Sequence, residues 1–190
     1  MYVCLYFGSF NPIHHGHLIV ASHVLHQENV DQIWFVVSPH NPFKYEHGLL
    51  NAYHRLYLTR LAVEGESGFR VSDIEFSLPT PSYTIDTPEA LEKKYPEHKF
   101  SILLGSDSLR SVDKWKRSRE IFQNRRVFVY PREGHAINMS SLDENWVSCQ
   151  APTLNISASL VRQLVKGGVS IRYYVPENVR QEIEKGGYYR

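Results

Sequence analysis

Tyr2-Val3-Cys4-Leu5-Tyr6-Phe7-Gly8-Ser9-Phe10-Asn11-Pro12-Ile13-His14-His15-Gly16-His17 reads as a strand, a turn and the opening of a helix. Its first six residues are apolar without a break, which predicts a strand covered on both faces. Gly8 stops the run. Leu18, Ala21, Val24 and Leu25 then recur at helical spacing, within a helix expected from His17 to Gln27. Ligands of open α/β sheets bind at the carboxyl ends of strands, which is where this turn lies. Gly8 lets backbone approach a ligand closely. The helix start offers unpaired N–H groups and the positive end of a dipole. With a helix beginning near His14, the His14 and His17 rings share one side of its first turn, and two imidazoles beside free N–H groups suit phosphate oxygens.

The rest of the chain repeats the pattern. Further apolar runs are Ile33 to Val37 before Ser38-Pro39, Phe100 to Leu104 before Gly105, and Val127 to Tyr130 before Pro131. Between them, Asn51 to Glu64 carries Leu58, Leu61 and Ala62 on one face, with Asn51 a candidate cap. Thr87-Pro88-Glu89 looks like a cap followed by a first-turn proline, opening a helix to about Tyr95. Strand–helix alternation implies right-handed crossovers and a Rossmann-like three-layer α/β/α sandwich on a mostly parallel sheet. Residues 151–190 read as a small helical portion of the same unit, 1–190. Ser157 caps a helix from Ala158 to Lys166, ended by Gly167-Gly168, and Pro176 opens a last helix to Lys185. No repeat or linker is evident, and Glu133 to Asn145 reads as a surface loop.

Composition removes several function classes. The 190 residues are 42% apolar and 22% charged, ordinary for a folded domain. Lys and Arg number 21 against 20 Asp and Glu, which gives no basic field for nucleic acid or a membrane surface. Cys4 and Cys149 form no Cys-x-x-Cys pair, so neither a disulfide framework nor a zinc ribbon is indicated. No run approaches the about 20 apolar residues of a membrane span, and Met1 to Phe7 lacks the basic start of a signal peptide. The expected location is the cytoplasm. The first loop is neither a P-loop nor a Gly-x-Gly-x-x-Gly turn. His14, His15, His17, His23 and His26 could be read as a metal cluster or as a surface group without a role. Only two of their spacings fit a helix face, and no Cys or carboxylate lies near to complete a ligand set, so no metal site is assigned.

Gly8-Ser9-Phe10-Asn11-Pro12 with His14-His15-Gly16-His17 resembles the signature of the nucleotidyltransferase superfamily of adenylyl- and cytidylyltransferases. Ile156-Ser157-Ala158-Ser159-Leu160-Val161-Arg162 resembles its second signature, Ile-Ser-Ser-Thr-x-x-Arg, departing at Ala158 and Ser159. The residues themselves agree. Ser157 at a cap and Ser159 inside a helix start make a second anion site, with Arg162 one turn on. Over most of the chain the resemblance is to the bacterial nicotinate-mononucleotide adenylyltransferase family. It is carried by Ser82-Tyr83-Thr84-Ile85-Asp86-Thr87, by Gly105-Ser106-Asp107-Ser108-Leu109 followed by Trp115, and loosely by Ser38 to Lys44.

The resemblance implies transfer of AMP from ATP to nicotinate mononucleotide, with Mg²⁺ accompanying ATP. It implies ATP contacts at Gly8, Ser9, Phe10, His14, His17, Lys44, Gly105, Asp107, Ile156, Ser157, Ser159 and Arg162. Thr84, Trp115 and Arg132 would meet the mononucleotide. Catalysis would come from alignment and from cationic stabilisation by His14, His17, Arg162 and the helix N–H groups. Other readings stay open. Trp115 could be a core aromatic, Thr84 a turn residue, Asp107 a helix cap and Arg132 a solvated charge. The acceptor could be nicotinamide mononucleotide or phosphopantetheine, or the chain a non-catalytic nucleotide sensor; oligomers are compatible with all of these.

Overall fold

A computed structural model describes residues 1–39, 48–79, 84–136 and 143–190. In chain order the elements are β1 (Tyr2–Gly8), α1 (His15–Gln27), β2 (Gln32–Val37), α2 (Ala52–Val63), β3 (Phe69–Ser72), α3 (Asp86–Lys94), β4 (Lys99–Gly105), α4 (Ser118–Gln123), β5 (Val127–Tyr130), β6 (Trp146–Ser148), α5 (Ala158–Lys166) and α6 (Glu177–Gly186). Short 3₁₀ turns occupy Ile74–Ser77, Ser106–Arg110 and Val112–Lys114. The strands form one parallel sheet in the order β3-β2-β1-β4-β5-β6.

The continuous apolar strands bury both faces. Cys4 and Tyr6 of β1 join Phe35, Leu103 and Phe128 in a core under α1, α2, α5 and α6. Val3 and Leu5 point the other way, toward Leu91 of α3, while Ile102 and Val127 meet Ile121 and Phe122 of α4. This is the three-layer sandwich expected. The C-terminal helices belong to the first of these layers, with Val161, Val179 and Ile183 fully buried or nearly so, and Asn178 donates from Nδ2 to the Leu61 carbonyl at 2.6 Å.

Two strands, β2 and β3, lie on one side of β1 and three, β4 to β6, on the other, so the order reverses between β1 and β4. Their carboxyl ends, Gly8 and Gly105, flank the crevice where doubly wound sheets take ligands.

Differences from the sequence reading are local. α1 begins at His15, with His14 as its cap residue. Thr87 does not cap α3; it lies inside the helix and its hydroxyl donates to buried Glu75 at 2.9 Å. Strands β3 and β6 and helix α4 escape the sequence reading because they are short. In β3 only Phe69 and Val71 pack against the core, while Arg70 lies over the Trp34 ring at 4.4 Å.

Candidate active site

The chain leaves β1 at Gly8 and turns through Ser9, Phe10 and Asn11. Phe10 takes φ 43°, a left-handed conformation costing a bulky residue on the order of 1–3 kcal/mol. Packing holds it there. The ring is buried, 5.7 Å from Tyr6, 5.6 Å from Phe35 and 5.2 Å from the His17 ring. A Cβ at Gly8 would stand 2.8 Å from the Phe10 ring. Glycine is therefore required here by packing beneath the loop as well as by the close approach expected of a ligand. Asn11, buried, donates from Nδ2 to the Gly48 carbonyl at 3.2 Å and accepts the Leu50 N–H on Oδ1 at 3.1 Å.

His14 precedes the helix in an extended conformation, and its N–H donates to Nδ1 of His17 at 3.3 Å. A neutral His17 then carries its proton on Nε2. The two rings stack with centroids 3.7 Å apart. His14 is 3% exposed. Burial, with smaller contributions from Arg132 and His15, pushes its pKa from 6.5 down to about 3, so it stands as a neutral imidazole rather than the cation expected from the sequence. Its Nδ1 is buried with no hydrogen-bond partner among the described residues. A Cβ at Gly16 would lie 3.0 Å from that ring, which gives the His-x-Gly-His spacing a steric reason.

The second signature arrives from α5. Ser157 Oγ accepts the Leu160 N–H at 3.1 Å, as a cap should. Arg162 donates from Nη1 to the Asn11 carbonyl at 2.8 Å and from Nη2 to Ser159 Oγ at 3.2 Å. Residues 151 positions apart are thus clasped together.

The far wall comes from β4 and β5. Arg132 donates its backbone N–H to Ser106 Oγ at 2.8 Å and Nη2 to Tyr130 Oη at 3.0 Å, and its Nε lies 3.7 Å from Asp107 Oδ1. The buried Tyr6 hydroxyl donates to Tyr130 Oη at 3.1 Å. Burial, reinforced by Tyr130, raises the Tyr6 pKa and keeps that proton in place. Asp107 lies in the first turn of the Ser106–Arg110 segment and faces Arg132. Trp115 is half-buried, its ring 5.9 Å from Phe122 on one side and lining the cavity on the other.

Two cavities of 310 and 690 Å³ result, inside the roughly 300–1,000 Å³ range of ligand pockets. Gly8, Ser9, Phe10, Thr84, Gly105, Trp115, Ser159 and Arg162 line the first, and Ile156 lines the second. Both are bounded by His14, His17, Asp107, Arg132 and Ser157, with Tyr6 and Tyr130. The fold therefore gathers the residues singled out in the sequence around one double cavity. The exception is Lys44, which lies outside the described residues together with Ser82 and Tyr83. Sequence reasoning passed over Tyr6, Asn11, Glu75, Lys116 and Tyr130, which also border the site. Asn11 stood in the quoted signature and Tyr130 beside Pro131-Arg132. The other three carry no local signal.

The crevice at the switch point, with a histidine-bearing helix start on one side and a Ser–Arg helix start on the other, has the form of a nucleotidyltransferase. Residues 5–164 match the model of the cytidylyltransferase-like family. Proteins named "Probable nicotinate-nucleotide adenylyltransferase" are 40% identical in Flavobacterium psychrophilum, aligned over 100% of both chains, and 42% identical in Cytophaga hutchinsonii, over 100% of this chain and 98% of that one. The chain belongs to the nicotinate-nucleotide adenylyltransferase family. Its fold matches the Plasmodium falciparum nicotinic acid mononucleotide adenylyltransferase complexed with NaAD, with a TM-score of 0.83 at 20% identity, over 99% of this chain and 97% of that one.

Proposed function

We propose that the chain transfers AMP from ATP to the 5′-phosphate of nicotinate mononucleotide, giving deamido-NAD and pyrophosphate. The observation that carries this reading is the junction of the two cavities. A reaction that joins two nucleotides needs two adjoining ligand spaces meeting at anion-binding groups, and here they meet at His14, His17, Arg132 and Ser157. The family to which the chain belongs supplies the identity of the nucleotides.

In this reading the pyridine ring stacks on Trp115, with its carboxylate toward Thr84, and Arg132 meets the mononucleotide phosphate. Asp107 touches a ribose. ATP lies along Ile156, Ser157, Ser159 and Arg162, with Lys44 assisting its phosphates. The attacking group is already a phosphate, largely dianionic near neutral pH because its second pKa is about 6. No general base is needed. An oxygen of that phosphate bonds to the α-phosphorus of ATP as the bond to the bridging oxygen breaks, and pyrophosphate leaves with the electron pair. What the protein supplies is alignment and donors aimed at the charge that develops. His17 offers Nε2–H, His14 a neutral imidazole and Arg162 a planar fork. Mg²⁺ fits as a companion of the ATP phosphates. The carboxylates lining the first cavity are engaged, Glu75 by Thr87 and Asp107 by Arg132, so phosphate oxygens and water would hold the ion, which would neutralise phosphate charge. A reduced cytoplasm agrees with Cys4 and Cys149 being buried free thiols.

The test is pyrophosphate release by the purified protein with ATP and Mg²⁺, nicotinate mononucleotide being compared with its amide. Rapid release with the acid and little with the amide is expected. Release only with the amide would change the acceptor, and release with neither would sink the reaction.

A further inference from the structure

Arg55 lies on α2, and its side chain is buried completely. Its guanidinium reaches four backbone carbonyls. Nε donates to Leu50 at 2.8 Å, Nη1 to Ser9 at 2.6 Å and Ser38 at 2.9 Å, and Nη2 to Pro39 at 2.9 Å. These carbonyls belong to the loop after β1, the loop after β2 and the entry to α2, all at the carboxyl edge of the sheet. A desolvated cation is costly unless its donors are satisfied, so the fold is committed to these four bonds. The bond to Ser9 has a chemical consequence. The Ser9–Phe10 peptide is trans, the cis bond of this loop being Asn11–Pro12. In a planar trans peptide the C=O and the following N–H point in opposite directions. With the Ser9 carbonyl turned down to buried Arg55, the Phe10 N–H is turned the other way, on the stretch that lines the first cavity.

We propose that Arg55 is a positioning residue of the transfer reaction: by holding the Ser9 carbonyl, it aims the Phe10 N–H at a phosphoryl oxygen of the bound nucleotides. Arg162 completes the arrangement from the other side by holding the Asn11 carbonyl. Two arginines thus grip one three-residue loop, one from inside the core and one from the cavity. Phe10 keeps its left-handed backbone between them. The inference rests on the reading of the cavity as a phosphoryl site.

The probe is inorganic pyrophosphate, titrated into protein labelled with ¹⁵N-phenylalanine. The chain has nine phenylalanines, and the Phe10 signal is the one that disappears in Phe10→Tyr. In the unaltered protein the Phe10 amide should shift and saturate. In Arg55→Lys, which keeps the charge but loses the planar fork, that response should be lost while the fold persists by circular dichroism. The kcat/KM should drop ~10–10²-fold, the scale of a small misplacement. An unaltered protein whose Phe10 amide ignores pyrophosphate overturns the proposal, even if Arg55→Lys fails to fold. So does an Arg55→Lys protein with unchanged turnover, or with lowered turnover and an unchanged Phe10 response, since the latter would make Arg55 merely structural. A Phe10 response without any nucleotide transfer would instead overturn the reaction and leave Arg55 in its role.

Discussion

The two helix starts that face the double cavity are built in opposite ways. At α1 the cap residue is an imidazole, 3% exposed, stacked on a second imidazole and seated over Gly16. At α5 the cap is an ordinary exposed serine, with Arg162 reaching across to Asn11. The first start is fixed by packing before any ligand arrives. The second is held chiefly by hydrogen bonds that water can contest. Groups that stabilise a transition state gain most when they are desolvated and already in place, because nothing has to reorganise during the reaction. In the proposed reaction the contrast makes His14 and His17 on the α1 side the donors set in place beforehand, with Arg162 reaching the developing charge from the more exposed α5 side.

The strongest way to break that comparison is His17→Ala. It removes the Nε2–H donor and the acceptor of the His14 N–H. Turnover should fall ~10²–10³-fold, the scale for losing one transition-state donor, with a smaller change in the KM for ATP. Steady-state kinetics decides the matter. Unchanged kcat would take His17 out of the chemistry and dissolve the contrast.

A second effect should appear in stability rather than rate. The His14 pKa is depressed to about 3 in the folded chain, against 6.5 for an ordinary imidazole. Below about pH 6.5 the unfolded chain takes up a proton that the folded chain refuses. Folding is therefore favoured above that pH and loses ground as pH falls toward 3, by up to about 1.4 kcal/mol per pH unit from this one residue. Urea unfolding between pH 7 and pH 4 should show the slope, and His14→Asn should flatten it. A slope identical in both proteins would mean that His14 is not held neutral by burial. Ser157 has no titration and contributes nothing of the kind.

The same difference explains what could be read from sequence. Apolar runs, Gly stops and the Ser157 cap are local, and they gave four strands, the two C-terminal helices and the layered sheet almost residue by residue. Asn51 also caps as expected, accepting the Tyr53 N–H at 2.9 Å. The partners that set the α1 side are remote. His14 owes its neutrality chiefly to burial, with Arg132 contributing. Tyr6 meets Tyr130 across 124 positions. Arg55 binds Ser9 across 46. Its position on the buried face of α2, one turn from Leu58 and Thr59, was the available hint, but a charge on an apolar stripe is easily passed over. Residue types at the site are legible in the signatures; protonation states and loop orientation depend on the closed fold.

The smallest effect sharpens the comparison most. Ser157→Ala removes the oxygen that accepts the Leu160 N–H at 3.1 Å, leaving an orphan donor at an exposed helix start. Such a loss typically costs about 1 kcal/mol, and in a chain this long it should lower the melting temperature by roughly 2–4 °C. Ser157→Thr keeps the hydroxyl and should recover most of it. Because water can replace the lost acceptor, and because Arg162 is anchored separately on Asn11 and Ser159, kcat should change far less than in His17→Ala. A loss of turnover equal to that of His17→Ala, at an unchanged melting temperature, would make the Ser157 hydroxyl a donor to the reacting phosphate. The two helix starts would then be chemical equals despite their different burial.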